Sequence, residues 1–328
     1  MSTAETRAIR CDHFNFHLMP RLHGEPLSSA LFRSCPEDFQ VDEILDLEPS
    51  DHGEHLLLHI RKRDQNSQWV AGLLAELAGI KRRDIGFCGL KDRYAVTSQW
   101  FSLHLPGREL DLKQLQHNDF EVLSARRHHK KLRRGMHSGN RFNIVLRQFT
   151  PDKYLLEQRL QLIEQHGVPN YFAEQRFGHD GGNLHRVVEL IESDRLKGNK
   201  QGTGIYLSAA RSWLFNLLVS KRLEMNGLAP IDGDQSAALW GRGRSNINAE
   251  VGSIESEVLG DWQSWCYALE HAGLKQERRA LLLYPQDLTS CWLESDRLEL
   301  NFALPAGAYA TALLREMAEL FRPEFKAL

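Results

Sequence analysis

Leu298-Glu299-Leu300-Asn301-Phe302-Ala303-Leu304 places Leu298, Leu300, Phe302 and Leu304 on one face of a strand. Its position in the chain decides the architecture. Strand-like segments crowd the first 150 residues: Phe39, Val41 and Ile44 after the turn Cys35 to Asp38, His55 to Ile60, Asp84 to Cys88, Gln99 to Leu105, Phe120 to Leu123, and Arg141 to Arg147 with Phe142, Ile144 and Leu146 on one face. Between His55 to Ile60 and Asp84 to Cys88, Asn66 or Ser67 caps a helix that ends at Gly79. Thr150-Pro151 opens another helix, with Pro at its first position, running to about His166. From Gly167 to Ser290 the texture is mostly helical, with helices over Leu184 to Ile191, Ser208 to Asn226 and Asp261 to His271. Leu298 to Leu304 then restores the strand pattern, and a last helix is expected from about Tyr309 to Phe321. The simplest organisation is an α+β domain split in sequence by a mainly helical insertion.

The bulk properties fit this. At roughly 100–200 residues per domain, 328 residues suggest about two domains. A composition of 42% hydrophobic and 26% charged residues excludes disorder, collagen-like repeats and a coiled-coil rod. No apolar run approaches the ~20 residues of a membrane span, and MSTAETRAIR at the start lacks the apolar segment of a secretory signal. Five scattered cysteines (Cys11, Cys35, Cys88, Cys266, Cys291) form no CxxC pair and fit reduced thiols in a cytoplasm. The net charge of -2 gives no reason to expect a polyanionic partner, but it is an average. Arg61 to Arg147 holds 18 Lys and Arg against 8 Asp and Glu, a local +10, and the remainder carries -12. The clusters are Arg61-Lys62-Arg63, Lys81-Arg82-Arg83 and Arg126 to Arg134, RRHHKKLRR, where nothing local neutralises six cations. Such a run favours an anionic polymer over a merely solvated face, and His128 and His129 add charge at mildly acid pH.

Chemistry is suggested by Gly86 to Gln99, GFCGLKDRYAVTSQ, a loop between two strands. Asp92 is its lone carboxylate, set between Lys91 and Arg93. Flanking cations favour the charged form of a carboxylate, which can act as nucleophile or general base. The plainer reading is a turn-capping Asp beside solvated cations. In Gly135 to Phe142, GMHSGNRF, Phe142 opens a strand and is either a core residue or a ring that stacks on a base. Gly167 to Asn183, GVPNYFAEQRFGHDGGN, lines a cleft or forms a hinge. Phosphate-loop, dinucleotide, zincin, zinc-deaminase and nucleophile-elbow patterns are absent from the sequence.

These residues carry a resemblance. PEDFQVDE (Pro36 to Glu43), GEHLLLHIRKR (Gly53 to Arg63), GLKDRYAVTSQ (Gly89 to Gln99), KLRRGMHSGNRFNIVLR (Lys131 to Arg147), GVPNYFAEQRFGHDGGN and FALPAGAYATALLRE (Phe302 to Glu316) stand in the order found in the TruD family, tRNA pseudouridine synthase D. The resemblance covers nearly the whole chain. It implies an α+β fold with a mixed, mainly antiparallel sheet of the pseudouridine synthase type. The catalytic domain would span 1–167 and 291–328, and the inserted domain, 168–290, would form one wall of the RNA cleft. It also implies isomerisation of uridine to pseudouridine in tRNA, usually at position 13, without cofactor or metal, by a cytoplasmic protein read here as a monomer. The essential aspartate maps to Asp92, the base-supporting ring to Phe142 with Asn140 beside it, and the basic partner to Arg33, where Lys is usual. Lys91, Arg126, Arg127, Lys130, Lys131, Arg133 and Arg134 are expected to meet RNA. Two departures are Arg33 and Ala173, where Gly is commoner. The alternative is an RNA-binding or tRNA-folding module without a dominant catalytic role. A metal-dependent nuclease would need clustered carboxylates, which the sequence does not place near Asp92.

Overall fold

The computed structural model describes residues 14–48, 50–193, 195–196 and 202–323; Cys11 and the polar N-terminal stretch lie outside them. The fold is α+β, as expected. Its strands are β1 (Ser28–Phe32), β2 (Phe39–Ile44), β3 (His55–Arg63), β4 (Ile85–Phe87), β5 (Val96–His104), β6 (Phe120–His128), β7 (Gly139–Arg147), β8 (Val168–Pro169), β9 (Ser236–Leu239), β10 (Glu277–Ala280), β11 (Leu282–Leu283), β12 (Gln286–Glu294), β13 (Arg297–Pro305) and β14 (Ala318–Phe321). The helices are α1 (Ser67–Leu77), α2 (Lys153–His166), α3 (Gly182–Glu192), α4 (Gly204–Asn226), α5 (Ala249–Val258), α6 (Gln263–His271) and α7 (Ala310–Leu314).

The chain forms two compact units, Pro26–Glu164 with Pro285–Gly307 and Met317–Leu328, and Met1–Glu25 with Gln165–Tyr284 and Ala308–Glu316. The first is built on a ten-stranded sheet in the order β12-β13-β7-β2-β5-β3-β6, with β1, β14 and β4 branching from it. Pairings are antiparallel except β2 with β5 and β1 with β14. The late strand β13 lies beside β7 with Phe302 opposite Phe142 and Leu300 opposite Ile144. These four side chains are buried, and Phe142 and Phe302 stack at 5.4 Å. On the other half of the sheet, Leu58, Ile60 and Phe101 pack against Val70 and Leu74 of α1. Asn66 caps that helix by accepting from the Trp69 N–H at 2.7 Å. Gly86 is fixed by space, since a Cβ there would lie 2.2 Å from the Leu132 carbonyl oxygen.

The second unit centres on the 23-residue α4, whose Trp213, Phe215 and Leu218 meet α3, α6 and the loop carrying Tyr171, Phe172 and Phe177. Asn216, fully buried, closes a reciprocal pair with the backbone N–H and C=O of Phe172 at 2.9 and 2.8 Å. The aromatic loop of Gly167 to Asn183 thus contributes its rings to a core.

Several elements differ from expectation. Residues 2–30 read as an irregular lead-in in the sequence, but β1 begins within them at Ser28. Helix α2 starts at Lys153, not at Pro151, because the Asp152 carboxylate accepts the Leu155 N–H at 3.0 Å and sets the cap there. Strand β6 continues to His128, so the basic run begins inside the sheet. The insertion also carries α5 and the antiparallel pair β9–β10. The final helix from Tyr309 to Phe321 is not formed. Only Ala310–Leu314 is helical, and Ala318–Phe321 becomes β14, pairing in parallel with Ser28 to Leu31. An otherwise open stretch of β1 offers backbone donors and acceptors that must be satisfied, and this outweighs the helical spacing of Leu313, Leu314 and Met317.

Phe302→Ala should remove about 3–5 kcal/mol of stability, the usual cost of emptying a buried Phe site. Urea unfolding followed by circular dichroism measures it, and a loss below about 1 kcal/mol would show that the β7–β13 face is not the sheet's core.

Candidate active site

The residues picked out by sequence converge within the sheet-bearing unit, through two loops braced separately. The first is Arg33–Asp38. Strand β1 pairs with β7 only through Leu31 and Phe32; the chain then leaves and rejoins β7 where Phe39 faces Ile144. Both ends of the excursion are therefore fixed by one strand. Asp38, buried, closes it: Arg147 donates to its two oxygens at 2.8 Å each, and the Cys35 N–H donates to the same carboxylate at 3.2 Å. Paired parallel bonds of this kind are strong and directional. Arg33 sits at the start of the excursion with φ +60°. Its guanidinium lies 3.7 Å from the centroid of Phe39 and 5.1 Å from that of Phe32. Burial lowers its pKa, and the neighbouring Asp92 opposes that shift.

The second loop runs from Cys88 to Ala95. The Lys91 N–H donates to Ser67 Oγ at 2.9 Å, and Ser67 Oγ in turn donates to Gln99 Oε1. Gln99 Nε2 donates to the Gly89 carbonyl at 3.3 Å. Lys62 Nζ donates to the carbonyls of Asp92 at 3.2 Å and Gln65 at 2.5 Å. Past the turn, the Asp64 N–H donates to the Ala95 carbonyl at 3.1 Å.

These braces bring Asp92 to Arg33. Asp92 Oδ2 accepts from Arg33 Nη2 at 3.1 Å, with the guanidinium 8% and the carboxylate 38% exposed. The carboxylate is anchored from behind by a buried cation and keeps a face toward solvent, the arrangement a nucleophile or base requires.

Other candidates fall differently. Phe142 is buried in the sheet face between Phe39 and Phe302, at 6.0 and 5.4 Å, so its surroundings are those of a core ring. Asn140 is buried and accepts from Lys91 Nζ at 2.8 Å. Lys91, expected to meet RNA, points inward instead, and its Nζ donates to Glu43 Oε2 at 2.7 Å. Arg127 is committed to the carbonyls of Leu105 and Arg108 and to Glu109. Lys131 donates to the Arg83 carbonyl. Arg126, Lys130, Arg133 and Arg134 are exposed, and Leu132 is buried among them as an anchor for the run. His128 is buried, and burial with neighbouring His129 and Lys130 lowers its pKa, which works against the acid-side charge expected of it. The Cys88 thiol, close to the loop, is buried and pushed up to about 12, which makes it an unreactive thiol.

Sequence reading did not find Glu43 and Lys62. Glu43 entered only as the end of the PEDFQVDE stretch, yet it faces inward with Phe39 and Val41 at period two. Lys62 was counted in a basic cluster, yet its parity with Leu58 and Ile60 turns it inward.

Comparison with known proteins identifies the family. A family model described as "TruD: tRNA pseudouridine synthase D (TruD)" matches residues 23–200. The tRNA pseudouridine synthase D of Cellvibrio japonicus (strain Ueda107) is 45% identical over 311 residues, covering 92% of this chain and 93% of the relative. That of Xanthomonas campestris pv. campestris (strain 8004) is 41% identical over 350 residues, covering 92% and 95%. A solved TruD structure from Methanosarcina mazei superposes with a TM-score of 0.67 at 20% identity, covering 90% and 95% of the two chains, which is a likeness of fold. The fold and these relatives define an RNA isomerase of the pseudouridine synthase class. The chain belongs to the tRNA pseudouridine synthase D family.

The Glu43–Lys91 pair is almost fully buried, so removing one partner strands the other charge. Glu43→Gln or Lys91→Met alone should each cost about 3–5 kcal/mol, and the double variant should cost less than the sum. Urea unfolding of the three variants tests this; strict additivity would mean the pair does not couple.

Proposed function

We propose that this chain converts uridine to pseudouridine in tRNA, at position 13, with Asp92 as the catalytic carboxylate. The observation that carries the reading is the Asp92–Arg33 pair: a carboxylate tethered at 3.1 Å by a buried guanidinium and open on its other side. The isomerisation breaks the bond from N1 of the base to C1′ of the ribose and forms one from C5 to C1′. A proton leaves C5 and one reaches N1, so atoms and electrons balance without a redox partner. Asp92 can serve by attacking the ribose or the base, or by abstracting a sugar proton, and Arg33 holds it in place for each. Chemistry on a base requires that it leave the stack. In this reading Phe142 supports the base region indirectly, through its packing with Phe39, and Asn140 does so by fixing the Lys91 ammonium.

Arg126, Lys130, Arg133 and Arg134 supply phosphate contacts, since all four are exposed and make no salt bridge to a carboxylate among the described residues. The sheet-bearing unit is the catalytic part, close to the expected 1–167 with 291–328, and the helical unit helps choose the RNA, in a protein acting as a monomer.

Asp92→Asn should fold, bind tRNA and form no pseudouridine. Mapping pseudouridine in an unmodified tRNA transcript after incubation with each protein checks this. Near-normal product from the variant would remove Asp92 from the chemistry, and product at another position would remove the position-13 assignment. A chain whose work is binding alone would give no product even as wild type.

Neutralising Lys130, Lys131, Arg133 and Arg134 together should weaken tRNA binding. The slope of log affinity against log salt should fall by about 0.7–0.9 for each phosphate that no longer meets a cation. Lys131, half-buried and bonded to the Arg83 carbonyl, should contribute least. An unchanged slope would place the run away from RNA.

A further inference from the structure

Lys62 is the one lysine besides Lys91 that the described residues bury, at 1% exposure. A cation is costly to remove from water, so its surroundings must either pair it or neutralise it. Strands β5 and β6 flank it with neutral residues, Thr97 and Phe120. The charged groups that act on it both come from the Cys88 to Ala95 loop: Asp92, which favours the ammonium, and Lys91, which disfavours it. Its contacts are backbone carbonyls, Gln65 just past the end of its own strand and Asp92 in the facing loop. Arg33 holds the Asp92 side chain and Lys62 holds the Asp92 main chain, so the two cations fix one residue from its two ends.

We propose that Lys62 is a positioning residue for the isomerisation: its buried ammonium clamps the Asp92 peptide to β3 and holds positive charge beneath the carboxylate, fixing where that carboxylate points. This rests on Asp92 being the catalytic group. Burial pulls the Lys62 pKa down to about 8, within the range where activity can be measured. Above that point the neutral amine keeps two N–H donors but loses its charge, so the clamp weakens without breaking. The sign for stability is opposite. The folded amine releases its proton near pH 8 and the unfolded one near 10.5, so the folded state binds fewer protons in that window and stability from this group rises with pH. One titration therefore lowers the rate while raising the stability.

The test is single-turnover pseudouridine formation on an unmodified tRNA transcript, from pH 6 to 10, with wild type, Lys62→Met, Lys62→Arg and Asp92→Asn. Lys62→Met should lose roughly 100-fold in rate, as a misplacement of about 1 Å does, with tRNA affinity within about threefold of wild type. The wild-type rate should fall through about pH 8, and Lys62→Arg, whose charge persists, should hold its rate across that range. Relative to Lys62→Met, wild type should gain thermal stability between about pH 8 and 10.5. A Lys62→Met enzyme with the wild-type rate would overturn the proposal. So would a shared high-pH limb in wild type and Lys62→Arg, and this comparison decides the matter if Lys62→Met fails to fold. An inactive Asp92→Asn beside a fully active Lys62→Met would remove only the Lys62 role. An active Asp92→Asn would remove the reading of the site itself.

Discussion

Arg33 is taken out of water on a backbone conformation that side chains other than glycine rarely adopt, and among the described residues its one carboxylate partner is Asp92. A left-handed residue of this kind costs of order 1 kcal/mol and persists only where the surroundings over-determine it. Here they do. Strand β7 receives β1 and β2 in turn, and Arg147 clamps Asp38 across the intervening turn. The rings of Phe32 and Phe39 hold the guanidinium plane. If that turn had slack, Arg33 would swing into solvent and Asp92 would be an ordinary loop acid. The sheet order thus serves the site, because β7 is an interior strand and sets both ends of the excursion that carries the cation.

The fold was legible where one face of an element is apolar throughout. Leu298 to Leu304 and Arg141 to Arg147 alternate cleanly, and they are neighbours in the sheet with matching residues opposed. The cap at Asn66 was legible because its side chain acts locally. What could not be read depends on partners distant in sequence. Ala318–Phe321 becomes a strand because β1 needs a neighbour nearly 300 residues away, while its own spacing favours a helix. The extension of β6 to His128 depends in the same way on pairing with β3 and overrides the charge of Arg126 and Arg127.

The site divides along the same line. Asp92 stands out in sequence as a lone acid in a glycine-bounded loop, and the structure leaves it partly open. Arg33 was reached only through family resemblance, since neither its positive φ nor its burial leaves a local trace. Lys91 and Lys62 were read as surface charge, as most lysines should be. Yet the strand alternation that places Leu58 and Ile60 inward already points Lys62 inward, and Phe39 with Val41 does the same for Glu43. A charged residue on the apolar parity of a strand is therefore the usable sequence signal for a buried ion at a working site. A simple tally of cations over a window discards it.

That signal revises the meaning of the +10 stretch. Three of its cations, Lys62, Lys91 and the clamp Arg147, are engaged within the protein with Asp92, Glu43 and Asp38, and Arg33 lies upstream of the stretch. Arg33 pairs with the Asp92 carboxylate proposed to react, Lys62 holds the Asp92 carbonyl and Lys91 pairs with Glu43, three cations against two acids. An approaching tRNA brings a field of phosphates that repels a carboxylate and would favour moving it away. Buried cations act on Asp92 through a medium of lower dielectric than water, where salt screens them little, whereas exposed Lys130, Arg133 and Arg134 act through solvent and weaken as salt rises. The two sets of charge therefore do different work. On the proposed function, the exposed set governs how tightly RNA is held and at what ionic strength, and the interior set keeps the carboxylate in place once the RNA has arrived.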